Sequence, residues 1–234
     1  MITLTTRLQQ VADMVPAGTC MADIGTDHGY VPIYLVEKGI MNRAIACDIH
    51  QGPLDRAKEN LISSGLTEKI SLHLGGGLSP LEKGEVEGVT ICGMGGLMIR
   101  QILEDEADKA AALSWMILQP QNHVADLKYF LSRNHFRIEQ ESLCLEGGQL
   151  YEMMKVVPGD MAPVSLLEAE IGVTAAYRKD PLFPMHIQKL MKKRNFLIQG
   201  VSEDTDNERN AAKRKQAVEE MKYLRELGKY GLSK

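Results

Sequence analysis

The period of the apolar positions changes along the chain, and each change predicts a different element. From 5 to 15, Leu8, Val11, Ala12 and Val15 share one helical face, and Pro16-Ala17-Gly18 ends the pattern. Short apolar runs at 20–24, 43–48, 69–74, 88–92 and 115–118 then read as strands. They alternate with helical segments at 31–38, 53–64, 96–105 and 123–133, with Pro53 near one helix start and Gly65 past its end. This alternation predicts an α/β fold with a doubly wound, parallel sheet of Rossmann-like type. Two further strand patterns, 136–145 and 150–157, are joined by Glu146-Gly147-Gly148-Gln149, a hairpin signal. Beyond a linker from Pro158 to Pro163 the period is helical. Ile187, Leu190, Leu197 and Val201 fall on one seven-residue repeat and Ala217, Met221 and Leu224 on another, with a polar turn at 204–207 between them. A small all-α antiparallel coiled-coil tail accounts for both repeats. The expected division is therefore a sheet domain over 1–160 and a helical unit over 161–234.

Composition adds a core and a charge asymmetry. With 234 residues and 44% apolar content the chain can bury a substantial interior. The formal net charge of -4 conceals 13 Lys/Arg against 21 Asp/Glu in residues 1–163, and 14 against 10 in the remainder. The tail is thus the expected anion binder. From Arg178 to Arg194 there are six basic residues and one acid, with Lys192, Lys193 and Arg194 contiguous, which points to RNA or DNA phosphates. No signal-peptide layout opens the sequence and no apolar run approaches the about 20 residues of a membrane span, so a cytoplasmic protein with no membrane partner is expected. Cys20, Cys47, Cys92 and Cys144 lie in strand-like runs without CxxC spacing, which suits reduced buried thiols and predicts no metal site.

The chemistry concentrates where strands end. Asp23-Ile24-Gly25-Thr26-Asp27-His28-Gly29-Tyr30 closes the first strand in a glycine turn, and Asp48 ends the second strand 25 positions after Asp23. Such a turn lets backbone approach a ligand, and such an acid can hold ribose hydroxyls, so a nucleoside-containing cofactor is expected. Gly93-Met94-Gly95-Gly96 gives the fourth strand a nearly bare loop against which a planar ligand can lie. Gln119 and Gln121 end the fifth strand with amides able either to bond a base edge or to cap the next helix. His28 and Tyr30 offer rings for stacking on a base. A terminal hairpin after five parallel strands favours a methyltransferase using S-adenosylmethionine (SAM) over a dehydrogenase. The absence of a Gly-x-Ser-x-Gly elbow and of a Walker A loop argues against hydrolase and nucleotide-triphosphatase readings.

Taken together, Asp23 to Tyr30, Ala46-Cys47-Asp48-Ile49, Ile91 to Gly96 and Leu118-Gln119-Pro120-Gln121 resemble the bacterial TrmK family of tRNA (adenine22-N1)-methyltransferases, over essentially the whole chain. The resemblance implies a class I SAM-methyltransferase sheet and a tail that helps grip tRNA. It also implies SAM held by Asp23, Gly25, Thr26, Asp27, His28, Gly29, Asp48, Ile49, Gly93, Met94 and Gly95. Gly76 stands where the family usually has Asp or Asn, Gln121 where Asn is usual, and Gly29 where Ala is common. Backbone at Gly76 or Gly77 is then expected to serve the cofactor's adenine. Asp27 is the candidate carboxylate facing the cationic product, with Tyr30 as stacking partner. Gln119, Gln121, Lys192, Lys193 and Arg194 are the candidate substrate contacts, and the enzyme is expected to act as a monomer. A NAD-dependent oxidoreductase using Asp48 on ribose, or a noncatalytic RNA-binding protein, remain the alternatives at this stage.

Overall fold

The computed structural model describes residues 2–200 and 208–231. Seven strands form one sheet in the order β3-β2-β1-β4-β5-β7-β6: β1 (Gly18–Ile24), β2 (Met41–Asp48), β3 (Ile70–Leu74), β4 (Gly88–Cys92), β5 (Trp115–Gln119), β6 (Phe136–Glu146) and β7 (Gln149–Pro158). The first five pair in parallel, and β7 runs antiparallel to both β5 and β6. Buried on both faces, the central strands need apolar side chains at nearly every position, which is why they read as continuous runs rather than alternations. One face packs Ile24, Ile91, Leu118 and Leu127 into a core with α4 (Gly96–Asp105) and α6 (Val124–Leu131). The other packs Val11, Met21, Ile33, Leu35 and Ile117 under α1 (Thr6–Asp13) and α2 (Tyr30–Glu37). α3 (Gln51–Ser64) closes with Gly65 in the left-handed region, φ 67°, as its sequence predicts.

The chain reverses its winding between β1 and β4, so a crevice opens at the carboxyl ends of those strands. Because β7 runs against β5, the hairpin turn at Gly147 and Gly148 lies on that same edge. Both glycines have positive φ, 59° and 79°, as a two-residue hairpin loop requires.

Boundaries shift where local chemistry is silent in the pattern. β1 begins at Gly18, two residues early, because Gly18 N donates to Ile40 O and the strand pairs with Met41. The short helices α5 (Ala107–Ala110) and α7 (Leu166–Ile171) were not expected. α7 is started by a capping box in which Ser165 and Glu168 bond each other's backbone N–H.

The tail departs further from expectation. α8 (Phe183–Gly200) and α9 (Glu208–Gly231) lie antiparallel, as Arg194 with Glu220, and Arg214 with the Ile198 carbonyl, require. Ala217, Met221 and Leu224 are buried as the repeat predicts, as are Ile187 and Leu190. Leu197 is 41% exposed, and Arg194 turns inward instead. Val201 and the polar turn at 204–207 fall outside the described residues. The tail is also not set apart from the sheet: Leu143 and Leu150 of the hairpin share one core with Ile171, Tyr177, Ile187 and Leu224. Beneath that core lies a buried ionic cluster. Lys128 Nζ stands 2.8 Å from Glu141 and 2.9 Å from Glu152, Tyr177 OH donates to Glu152 at 2.8 Å, and Glu141 accepts the N–H groups of Val173 and Thr174.

Candidate active site

The glycine turn after β1 is held by two backbone bonds, with Gly25 N and Thr26 N both donating to Cys47 O at the end of β2. Gly25 has φ +76°, and a Cβ built there would stand 2.1 Å from the Met94 methyl. The left-handed backbone there favours glycine, which brings the backbone to the wall of a cavity of about 560 Å³. Gly25, Asp48, Ile49, Gly76 and Met94 line this cavity, together with Met98 and Ile102 from α4. Its size suits a drug-sized ligand or cofactor.

Asp48 is the polar anchor. One of its carboxylate oxygens accepts the His50 N–H at 2.8 Å, while the other has no hydrogen bond among the described residues. The side chain is only 12% exposed, so an acceptor is held partly desolvated at the cavity wall, which suits two ribose hydroxyls. Loop 75–79 forms the far wall. Gly75 N donates to Asp48 O, and the Gly76 carbonyl accepts both the Ser79 N–H and the Ser79 hydroxyl. The N–H groups of Gly76 and Gly77 take no partner among the described residues. Gly77 has φ +56° and packs directly on Ile102. A Cβ on Gly76, by contrast, would make only ordinary contact with Ile49, at 3.6 Å.

The other residues of the first turn serve it from outside the cavity. Asp23 is buried and accepts the Thr90 hydroxyl at 2.6 Å; burial pushes its carboxyl above the usual range, against the pull of that bond. It braces the strand end beneath the turn. Thr26 is buried too, and Gly29, at φ +68°, starts α2. Asp27, the candidate carboxylate facing the product, is 62% exposed. It pairs with Arg56 of α3 and lies 3.2 Å from His28 Nε2. The His28 ring stacks on Tyr30, with centroids 5.0 Å apart and planes 9° from parallel, which leaves the other face of a partly exposed Tyr30 open.

On the opposite side of the crevice the loops after β4 and β5 lock together: Gly93 N donates to Gln119 O, Gln121 N to Met94 O, and Gly96 N to Asn122 O. Gly95 and Gly96 cannot carry side chains without meeting Asn122 and His123. Gln121 is exposed at this rim. Gln119 is not, contrary to expectation; it is fully buried, its Oε1 accepting from Arg7 and its Nε2 donating to Pro120 O. Burial pushes the Cys92 thiol, at the end of β4, far above its ordinary value, so it is an inert thiol at neutral pH.

The basic run divides. Arg194 is buried between Glu170 and Glu220, and Lys193 pairs with Glu170, so neither is a free phosphate contact. Lys192 is exposed and, with Lys189, Met185 and Gln188, lines a groove of about 480 Å³ against the hairpin turn. Sequence reasoning missed Met98 and Ile102, although their four-residue spacing on a helix following a glycine loop was a legible signal. It also missed Arg7, which no local pattern marks. Among the described residues no three metal-ligating side chains gather.

Comparison with known proteins bears on this geometry. A family model described as a methyltransferase domain matches residues 4–154. The tRNA (adenine(22)-N(1))-methyltransferase of Bacillus subtilis (strain 168) is 34% identical over 233 residues, covering 97% of this chain and 98% of that protein. Among solved structures, Streptococcus pneumoniae Sp1610 in complex with S-adenosyl-L-methionine superposes with a TM-score of 0.84 at 34% identity, over 96% of this chain and 99% of that one. TrmK of M. capricolum with its cofactor product S-adenosyl-homocysteine superposes at 0.82 and 29% identity, over 95% and 98%.

Proposed function

The chain belongs to the tRNA (adenine22-N1)-methyltransferase family of SAM-dependent enzymes, and from that premise we propose how its own residues methylate N1 of adenine 22 in tRNA. The observation that carries the reading is the partly desolvated Asp48 carboxylate, with one oxygen unpartnered among the described residues, at a cavity lined by Gly25, Ile49, Met94, Met98 and Ile102. The oxidoreductase and noncatalytic readings give way to it.

SAM, when bound, would supply a methyl group to the lone pair of adenine N1, the S–CH3 bond breaking as the N–CH3 bond forms and its electron pair leaving on sulfur. Asp48 would hold the ribose, Ile49, Met98 and Ile102 would flank the cofactor's adenine, and the N–H groups of Gly76 and Gly77 would serve its edge. The open face of Tyr30 stacks the target base, which must leave its own stack to enter the crevice. Adenine N1 is unprotonated at neutral pH, so much of the rate comes from holding it in line with water excluded. Asp27 shares its charge with Arg56 and acts by fixing the His28–Tyr30 stack; it contributes less to the cationic product than a free carboxylate would.

The sheet unit carries the chemistry and the helical tail the grip. Support for this comes from Lys189 and Lys192, which flank the hairpin turn on the same edge as the crevice and can track the RNA backbone into it. Gln121 is the amide at the acceptor rim. One chain carries both halves of the task, as a cytoplasmic monomer acting on tRNA requires. The test is methyl transfer from labelled SAM to unmodified tRNA with the position mapped. Label at N1 of adenine 22 is expected; label elsewhere, or none, overturns the reading.

A further inference from the structure

Arg7 stands at the crevice rim with most of its hydrogen-bonding capacity unused. Its Nη1 donates to Gln119 Oε1 at 2.5 Å, its guanidinium lies 5.4 Å from the centroid of the Tyr151 ring, and Glu146 Oε1 is 3.8 Å from Nε, beyond hydrogen-bond reach. A guanidinium has five N–H donors. Among the described residues the side chain makes one hydrogen bond and a long ion pair with Glu146; it is 19% exposed, and its unbonded nitrogens, Nε and Nη2, are not sealed from solvent. Such a group is braced rather than satisfied: Gln119 and Tyr151 hold it, while its unbonded donors keep access to solvent.

Topology gives its address. Gln119 ends β5, Cys92 ends β4, and the Arg7 charge is close enough to pull on the Cys92 thiol. Glu146 and Tyr151 flank the hairpin turn, which lies on the same carboxyl edge because β7 runs against β5. Arg7 therefore sits on the carboxyl edge of the sheet, between the end of β5 and the hairpin turn. A planar, half-desolvated fork with spare donors matches phosphate oxygens better than a neutral base edge.

We propose that Arg7 is a substrate-binding residue that takes a backbone phosphate of the acceptor RNA beside the nucleotide to be methylated. The inference rests on the reading of this chain as a tRNA methyltransferase. Its geometry also explains Gln119: the buried amide orients the arginine and does not itself touch RNA.

The test compares the parent with Arg7→Gln and Arg7→Lys, measuring tRNA affinity across a salt series, SAM affinity by calorimetry and thermal stability. Arg7→Gln is expected to weaken tRNA binding about tenfold near 0.1 M salt and to reduce the slope of log K against log salt by about 0.7 to 0.9, the share of one phosphate. Arg7→Lys keeps the charge and should restore the slope while recovering only part of the affinity, and SAM affinity should stay within about twofold in both. An unchanged salt slope in Arg7→Gln overturns the proposal, as does a loss of SAM affinity or thermal stability that matches the loss of tRNA binding. If the parent itself neither binds nor methylates tRNA, the functional reading fails instead, and the two failures are distinct.

Discussion

The cofactor crevice and the joint between sheet and tail are built on opposite principles. The crevice is made of absence: glycines at 25, 76 and 77, an unpartnered carboxylate oxygen at Asp48, and N–H groups left without acceptors. The joint is made of pairing, with Lys128 set between Glu141 and Glu152 and Tyr177 donating to Glu152. Unmet polar capacity at a cavity is a place for a ligand, whereas the same residue types paired and packed away from a cavity are structure. Charge alone would have ranked the two regions the other way round.

The sharpest way to break the contrast is to remove one member of the joint. Lys128→Ala leaves two buried carboxylates without their cation and should cost about 3–5 kcal/mol. Chemical denaturation measures this, and a loss under 1 kcal/mol would show that the cluster is not buried in solution. Removing residues 164–234 strips Glu141 and Glu152 of their tail partners in the same way, so the sheet unit is expected to fold poorly alone.

Next in size is the crevice. Asp48→Ala should lose charge-assisted bonds worth about 1.5–3 kcal/mol each in SAM binding while leaving the denaturation midpoint nearly unchanged. A dissociation constant within about twofold of the parent would remove Asp48 from the site.

A smaller effect follows from His186, which packs against Tyr177 in the joint. Burial lowers its pKa, with Lys128 and Lys189 adding to that and Glu152 opposing it. The neutral ring donates from Nε2 to the Glu170 carbonyl at 2.7 Å, and its buried Nδ1 has no partner to receive a proton's bond. A folded pKa below the unfolded value of about 6.5 means that the unfolded chain binds the proton more readily. Stability from this group is therefore full above pH about 6.5 and is lost as pH falls through the folded value. Melting temperatures between pH 7.5 and 5.5 should decline more steeply in the parent than in His186→Leu; parallel curves would contradict the assignment.

The smallest change is Lys192→Gln at the exposed groove. It should reduce the salt slope of tRNA binding by about 0.9 with SAM affinity and stability untouched, and an unchanged slope would leave the lysine a solvated surface charge.

What the sequence disclosed follows the same division. Gly25, Asp48 and the Gly93 loop were legible because each lies at a strand end whose local pattern announces it, and strand order then brings them together. The joint was illegible because Lys128 sits on one helix while its partners lie on a hairpin and in the tail, and nothing local distinguishes a buried lysine from a solvated one. Arg194 misled for the same reason: a basic triplet looks like a phosphate contact until Glu170 and Glu220 close on it. Asp27 was located at the right turn, yet Arg56, 29 residues on, decided where its charge went. Gly76 was read from backbone alone, and the geometry keeps its N–H free.

The most direct measurement is SAM calorimetry on two variants side by side. Asp48→Asn keeps the shape of the crevice and removes its charge, while Lys128→Met with Glu141→Gln and Glu152→Gln keeps the shape of the joint and removes its charges. The account predicts that the first loses SAM affinity by about tenfold or more and that the second binds within about twofold of the parent. Full affinity in the first together with loss in the second would contradict it, because the ligand would then be read through the joint rather than at the crevice.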